Sequence, residues 1–232
     1  MVRSVIKPLS ALALAALLSA GCGGAKAIPA DAQTSVVSLG RIDCAECGDQ
    51  IVADLRERPG IYAATFDKQK AEVRVVASRT FDVLTAVKQL AAHEGFEAIV
   101  GAGQGHYLEG PAFPPGADFK VVTTGGGEVP EIATIPVKGK ITVIDFSATW
   151  CRPCREIDEH MAKVLVSRND IAYRKLEIGD WDTPLAQRYL KGIPQLPYVI
   201  VYDAAGTRVK ELIGVDLAGL DAAMVARGSS AP

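Results

Sequence analysis

From residue 35 onward the apolar positions fall into two successive series of strand-like and helix-like spacing. In the first, Val36, Val37 and Leu39 predict a strand, and Cys47, Ile51 and Leu55 recur at helical spacing until Pro59-Gly60 stops the helix. Residues 61–66 and 71–76 are β-rich runs joined by the polar stretch 67–70, a hairpin pattern. Phe81, Leu84, Val87 and Leu90 mark a second amphipathic helix, which ends at Gly95 before a last strand over 96–100. The predicted order is β-α-β-β-α-β. Residues 101–116 are rich in Gly and Pro, lack periodicity and predict a linker. As a flexible coil, such a stretch would span about 20–24 Å, enough for sites on either side to meet.

The second series covers residues 118–227. A strand is expected at 118–124, followed by Gly125-Gly126-Gly127. Residues 141–146 are almost continuously apolar, as expected for a central strand buried on both faces. A helix with Ile157, Met161, Val164 and Leu165 on one face follows, then a strand at 171–178. Thr183-Pro184 starts a helix that runs to about Lys191. A hairpin over 198–202 and 208–213 and a closing helix over 217–226 complete the series. The expected class is α+β followed by α/β: a ferredoxin-like βαββαβ domain at 35–100, a linker at 101–117, a second, α/β domain at 118–227 and a short tail at 228–232.

Composition changes this picture little. The net charge of −2 gives no electrostatic reason to expect a nucleic-acid partner. The five cysteines change it more, as one single, Cys22, and two Cys-x-x-Cys pairs, Cys44/Cys47 and Cys151/Cys154. Cys22 closes an N-terminal segment in which Arg3 and Lys7 precede the apolar residues 9–20, a run short of the roughly 20 residues that span a membrane. The run Ser19-Ala20-Gly21-Cys22 resembles a bacterial lipoprotein signal, although Ser19 stands where that family favours Leu. The resemblance implies that residues 1–22 direct export, that Cys22 carries lipid and that residues 23–34 tether the chain to the periplasmic face of a membrane. Gly23 after the cysteine implies the outer membrane of a Gram-negative cell. Ordinary cleavage nearby, with Cys22 a free thiol, is the alternative.

Cys151 and Cys154 are set to form and break a small disulfide ring at the start of a helix. Unpaired N–H groups and the helix dipole favour the thiolate of the first sulfur, and Arg152 adds positive charge beside it. Cys151 is therefore the expected exposed nucleophile, and Cys154, one turn into the helix, the resolving thiol. Asp145, at the end of the apolar strand, would be poorly solvated and suited to proton transfer with Cys154. A structural disulfide or half of a zinc site are the rivals, but no nearby pair supplies two more zinc ligands. His160, His93 and His106 read as solvated bystanders.

The segment around Trp150-Cys151-Arg152-Pro153-Cys154 resembles the thioredoxin superfamily, especially its exported lipoproteins and cytochrome-maturation proteins. That resemblance implies a thioredoxin fold over residues 118–227, a cis-proline at Pro197, a buried aspartate at Asp145 and Trp150 shielding the disulfide. Arg-Pro replaces the Gly-Pro of thioredoxins between the cysteines, and Glu159 stands where many relatives have a kinking proline.

The run from Gly40 to Cys47 resembles the heavy-metal-associated domain of copper chaperones, as do Pro59-Gly60-Ile61 and Gly95-Phe96-Glu97-Ala98. It implies a soft-metal site at Cys44 and Cys47, since thiolates suit Cu(I). Ile42 and Asp43 replace the family's Met and Thr, and Asp43 and Glu46 would raise the thiol pKa values. In an oxidising compartment the same two cysteines would form a disulfide, redox-active or structural.

Together these readings predict an exported thiol–disulfide oxidoreductase with protein substrates, no organic cofactor and a membrane-embedded or exported redox partner. A metal-transfer protein whose second domain keeps the thiols of the first reduced is the alternative. A partner-binding lipoprotein without turnover is a third, and the intact Cys151/Cys154 pair argues against it. If Cys22 is lipidated, cells given labelled fatty acid will incorporate label into the wild type and none into Cys22→Ser. An unlabelled wild type would remove the tether.

Overall fold

The computed structural model describes residues 27–129 and 131–225. The expected signal segment, Cys22, the first residues of the tether and the tail lie outside them. The first unit comprises β1 (Gln33–Ile42), α1 (Ala45–Arg56), β2 (Ile61–Asp67), β3 (Glu72–Ala77), α2 (Val83–His93) and β4 (Glu97–Val100). Its strands lie in the order β2-β3-β1-β4, with every neighbouring pair antiparallel. Both helices are amphipathic. Ile51, Val52 and Leu55 of α1 and Val83, Ala86 and Val87 of α2 enter the same core as Val37, Leu39, Val73 and Val75. Asp82 caps α2 by accepting the Thr85 N–H at 3.0 Å.

The Gly- and Pro-rich stretch that follows differs from the flexible coil expected of it. It contains β5 (His106–Tyr107), which pairs parallel with β1. The buried Tyr107 donates its hydroxyl to Lys68 O at 2.7 Å, and the Leu108 N–H donates to Ile42 O at 3.0 Å. A Cβ on Gly105 would overlap the backbone carbonyls of Lys70 and Ala71, so this approach requires glycine. Further along, Phe113 stacks on Phe119 with ring centroids 3.8 Å apart, and both rings lie against Tyr173. Two paired residues leave no periodic signal, and the strand that orders them is more than 60 residues away. The stretch is therefore a strap tied to both units.

The second unit comprises β6 (Phe119–Thr123), β7 (Ile141–Ser147), α3 (Arg152–Val164), β8 (Ile171–Glu177), α4 (Pro184–Tyr189), β9 (Tyr198–Tyr202), β10 (Arg208–Ile213) and α5 (Leu217–Met224). The sheet order is β10-β9-β7-β8-β6. β7 runs parallel to β8 and antiparallel to β9. All seven residues of β7 are buried. Ile144 and Phe146 face one apolar cluster, Ile141 and Val143 the other, which holds Ile157 and Met161 of α3. The first of these clusters is continuous with the core of the first unit and passes through Trp150, Cys151 and Cys154.

Candidate active site

Strand pairing gathers the site. Phe146 of β7 sits opposite Leu176 of β8 and Tyr198 of β9, so the C-terminal ends of β7 and β8 meet the start of β9 at one end of the sheet. From there the chain leaves β7 through Ala148, Thr149 and Trp150 into Cys151, the N-cap of α3. Pro197 is buried immediately before β9, and the Leu196–Pro197 peptide is cis.

Cys151 and Cys154 are disulfide-bonded, with Cα atoms 5.4 Å apart. Cys151 Sγ accepts the Cys154 N–H at 3.2 Å. This is one of the orphan donors of the helix end, aimed at the sulfur that would carry negative charge after reduction. Trp150 is buried and donates its indole N–H to Gly179 O at 2.7 Å.

Two expectations need correcting here. Cys151 is not exposed: it is 6 % accessible, against 1 % for Cys154. The first unit and the strap pack over the start of α3. The Ala45 N–H donates to Trp150 O at 3.2 Å, and Arg155 reaches Leu108 O at 3.5 Å. Nor does Arg152 bias Cys151 alone, because its guanidinium pairs with the Asp43 carboxylate at 3.2 Å. A cleft of about 360 Å³ remains between the strap and α3, with Cys151, Cys154, Asp158 and Lys175 on its wall.

Asp145 is fully buried on β7. Burial, then the nearby Asp158 carboxylate, raises its pKa to about 7, against the lowering effects of Lys175 and the Tyr173 hydroxyl. The Tyr173 hydroxyl lies 2.8 Å from Asp145 Oδ2 and 2.8 Å from Asp158 Oδ1. It has one hydrogen to donate, so the second contact requires a proton on a carboxyl. Burial, reinforced by both carboxylates, pushes the Tyr173 pKa well above its usual value. Asp158 in turn accepts from the Lys175 ammonium. A hydrogen-bonded chain thus runs from buried Asp145 through Tyr173 to Asp158 and Lys175 in the cleft.

The second cysteine pair lies at the docked face of the first unit. Cys44 is the N-cap of α1, and its disulfide with Cys47 has Cα atoms 5.3 Å apart. Asp43, expected to set its charge against these thiols, instead faces two guanidiniums. Arg155 binds its carboxylate and its carbonyl, and Arg152 adds the ion pair described above. Lys68 lies 4.6 Å from the centroid of the Trp150 ring and pairs with Asp180 at 2.7 Å. Among the described residues, no group of three or more His, Cys, Asp or Glu side chains is placed to hold a metal ion. His160, read as a solvated bystander, is partly covered and bonds Asp221 at 2.7 Å. His93 and His106 are exposed.

Sequence reasoning missed Asp158, Tyr173, Lys175 and the contacts made by Asp43, Lys68 and Arg155. Asp158 left a signal: a carboxylate one turn beyond Cys154, beside the apolar stripe of α3, is a buried charge in need of a partner. The others left none, because their contacts join residues brought together only by the fold.

Comparison with known proteins places the second unit. A family model described as Thioredoxin matches residues 132–223. Thioredoxin-2 of Saccharomyces cerevisiae is 32 % identical over 85 residues, covering 37 % of this chain and 78 % of that protein. Thioredoxin-1 of Schizosaccharomyces pombe is 27 % identical over 96 residues, covering 41 % of this chain and 89 % of that protein. Among solved structures, oxidized thioredoxin O2 from Arabidopsis thaliana aligns at 23 % identity with a TM-score of 0.36, over 47 % of this chain and 92 % of that one.

The raised pKa of Asp145 predicts a pH-dependent stability. Below about pH 4 the folded and unfolded chains both carry the proton. Between about 4 and 7 only the folded chain keeps it, so stability falls as pH rises; above about 7 that loss is complete. Asp145→Asn removes the loss. At pH 8 the oxidised variant should exceed wild type by roughly 3–5 kcal/mol, and the difference should shrink towards zero at pH 4. Urea unfolding at both pH values measures it; an equal difference at both would assign the effect to something other than this carboxyl.

Proposed function

The chain belongs to the thioredoxin family, and on that premise we propose that it exchanges dithiols for disulfides with protein substrates outside the cytoplasm. The activity is that of a thiol–disulfide oxidoreductase. The observation that carries it is Cys151 Sγ at the N-cap of α3, receiving the Cys154 N–H and joined to Cys154. In the reduced state that donor and the helix dipole stabilise the Cys151 thiolate, which attacks a substrate disulfide. Cys154 then resolves the mixed disulfide. Asp145 exchanges a proton with Cys154, and the Tyr173–Asp158–Lys175 chain links that carboxyl to the cleft. Pro197 and Trp150 frame the substrate-facing side. No organic cofactor takes part.

The location and partners belong to this proposal. A lipid on Cys22 anchors the chain to the periplasmic face of a bacterial membrane, the outer membrane in a Gram-negative cell. A membrane-embedded or exported redox protein resets the Cys151/Cys154 pair.

The first unit is read as a ferredoxin-like, heavy-metal-associated accessory domain. When reduced, Cys44 and Cys47 offer two thiolates at the start of α1 and, among the described residues, no third ligand group beside them. That donor set fits a two-coordinate soft ion such as Cu(I) and is too small for a structural zinc ion.

Insulin reduction driven by a small dithiol tests the activity: Cys151→Ser should lower turnover at least about a hundredfold, and an unchanged rate would move the chemistry elsewhere. Titrating the reduced chain with Cu(I) under anaerobic conditions tests the accessory site. Wild type should take up one equivalent that Cys44→Ser does not, and identical uptake by both would remove the metal role.

A further inference from the structure

The two Cys-x-x-Cys loops hold each other. Asp43 immediately precedes Cys44, and it is gripped by Arg152, between Cys151 and Cys154, and by Arg155, just after them. Ala45 follows Cys44, and its N–H donates to the carbonyl of Trp150, which precedes Cys151. The path through that 3.2 Å hydrogen bond keeps the Cα atoms of Cys44 and Cys151 within about 8–9 Å of each other. A disulfide usually spans Cα separations of about 4.4–6.8 Å, so a shift of about 2 Å would join them. The hairpin residue Lys68, held over the Trp150 ring and paired with Asp180, secures the same approach from the other side. The strap adds its bonds to Ile42 and Arg155. Cys151 is covered by this docked unit, as a redox cysteine would be by a bound substrate.

We propose that Cys44–Cys47 is a second redox pair, and that the Cys151/Cys154 dithiol reduces it within the same molecule. This rests on the oxidoreductase reading above and names one substrate of that site. The Cys151 thiolate attacks Cys44 Sγ. The Cys44–Cys47 bond breaks, a Cys151–Cys44 disulfide forms, and the Cys47 thiolate takes up a proton. Deprotonated Cys154 then attacks Cys151 Sγ, closes Cys151–Cys154 and releases the Cys44 thiolate, which takes up the second proton. Two electrons pass from Cys151/Cys154 to Cys44–Cys47; of the two protons taken up there, one is given up by Cys154 and the other comes from solvent, to which Cys151 released its own on forming the thiolate. An external dithiol, protein or small molecule, reduces Cys151–Cys154 again.

The test uses the full chain oxidised at both pairs and mixed with dithiothreitol. Alkylation quenching and peptide mass analysis follow Cys44 and Cys47 separately from Cys22. Docking corresponds to a millimolar effective concentration, so wild-type reduction of Cys44–Cys47 should not vary between about 1 and 100 µM protein. It should be at least about tenfold faster than in Cys151→Ser/Cys154→Ser, which must rely on direct attack by the reagent. Asp43→Arg sets a cation against Arg152 and Arg155, and should also slow the transfer about tenfold while all four cysteines remain. Equal rates in wild type and both variants, or a wild-type rate that rises with protein concentration, would overturn the inference. Insulin turnover by the same preparation separates the two failures. Turnover with equal Cys44–Cys47 rates overturns this inference alone, whereas absent turnover overturns the oxidoreductase reading beneath it.

Discussion

A largely buried guanidinium has to be surrounded by acceptors, and among the described residues those of Arg155 lie outside its own unit. Its side chain is 13 % accessible, and its partners are the carboxylate and carbonyl of Asp43 and the carbonyl of Leu108. Undocking the first unit would return that charge to water; removing Asp43 alone would leave it covered and poorly paired, the more costly case. Other features follow from this junction. The strap must pass close enough to offer Leu108, Trp150 must present its carbonyl to Ala45, and Cys151 is covered because the docked loop lies over it.

Beneath the junction the central strand sets a second constraint. β7 is buried along its whole length and carries one carboxylate among apolar neighbours. Among the described residues Asp145 Oδ1 has no hydrogen-bond partner, while Oδ2 meets the Tyr173 hydroxyl. A carboxylate held this way is costly when ionised, which is why its proton is retained to about pH 7. Tyr173 has one hydrogen and cannot donate to Asp145 and Asp158 at once. Lys175 binds Asp158 at the cleft, and Asp145 lies in the interior.

The two cysteine pairs share a local design and differ in surroundings. Each begins a helix with its first cysteine as N-cap, and their Cα separations are nearly the same, 5.3 and 5.4 Å. Cys151 Sγ accepts a helix N–H, whereas Cys44 makes no such side-chain cap bond. Cys151 and Cys154 are buried, and Cys44 and Cys47 are intermediate. The Asp145–Tyr173–Asp158 chain ends in the cleft whose wall also holds Cys151 and Cys154.

Much of the architecture was legible along the chain because its causes are local. The apolar run of β7, the helical spacing of Ile51 and Leu55, the Thr183-Pro184 start of α4 and the placing of both Cys-x-x-Cys pairs at helix N-termini depend on neighbours a few residues apart. Asp145 stood out for the same reason, as a carboxylate in an apolar strand. The strap, the cover over Cys151, the pairing of Asp43 with Arg152 and Arg155, and the bridge made by Tyr173 were not legible. Asp43 and Arg155 are 112 residues apart, and Tyr173 reaches Asp145 because β8 pairs beside β7 in one register. Spacing along the chain determined which side chains carry chemistry. Sheet register and the docking of the two units decided which of them touch, because a hydrogen bond or ion pair depends on separation in space, whatever the distance in sequence.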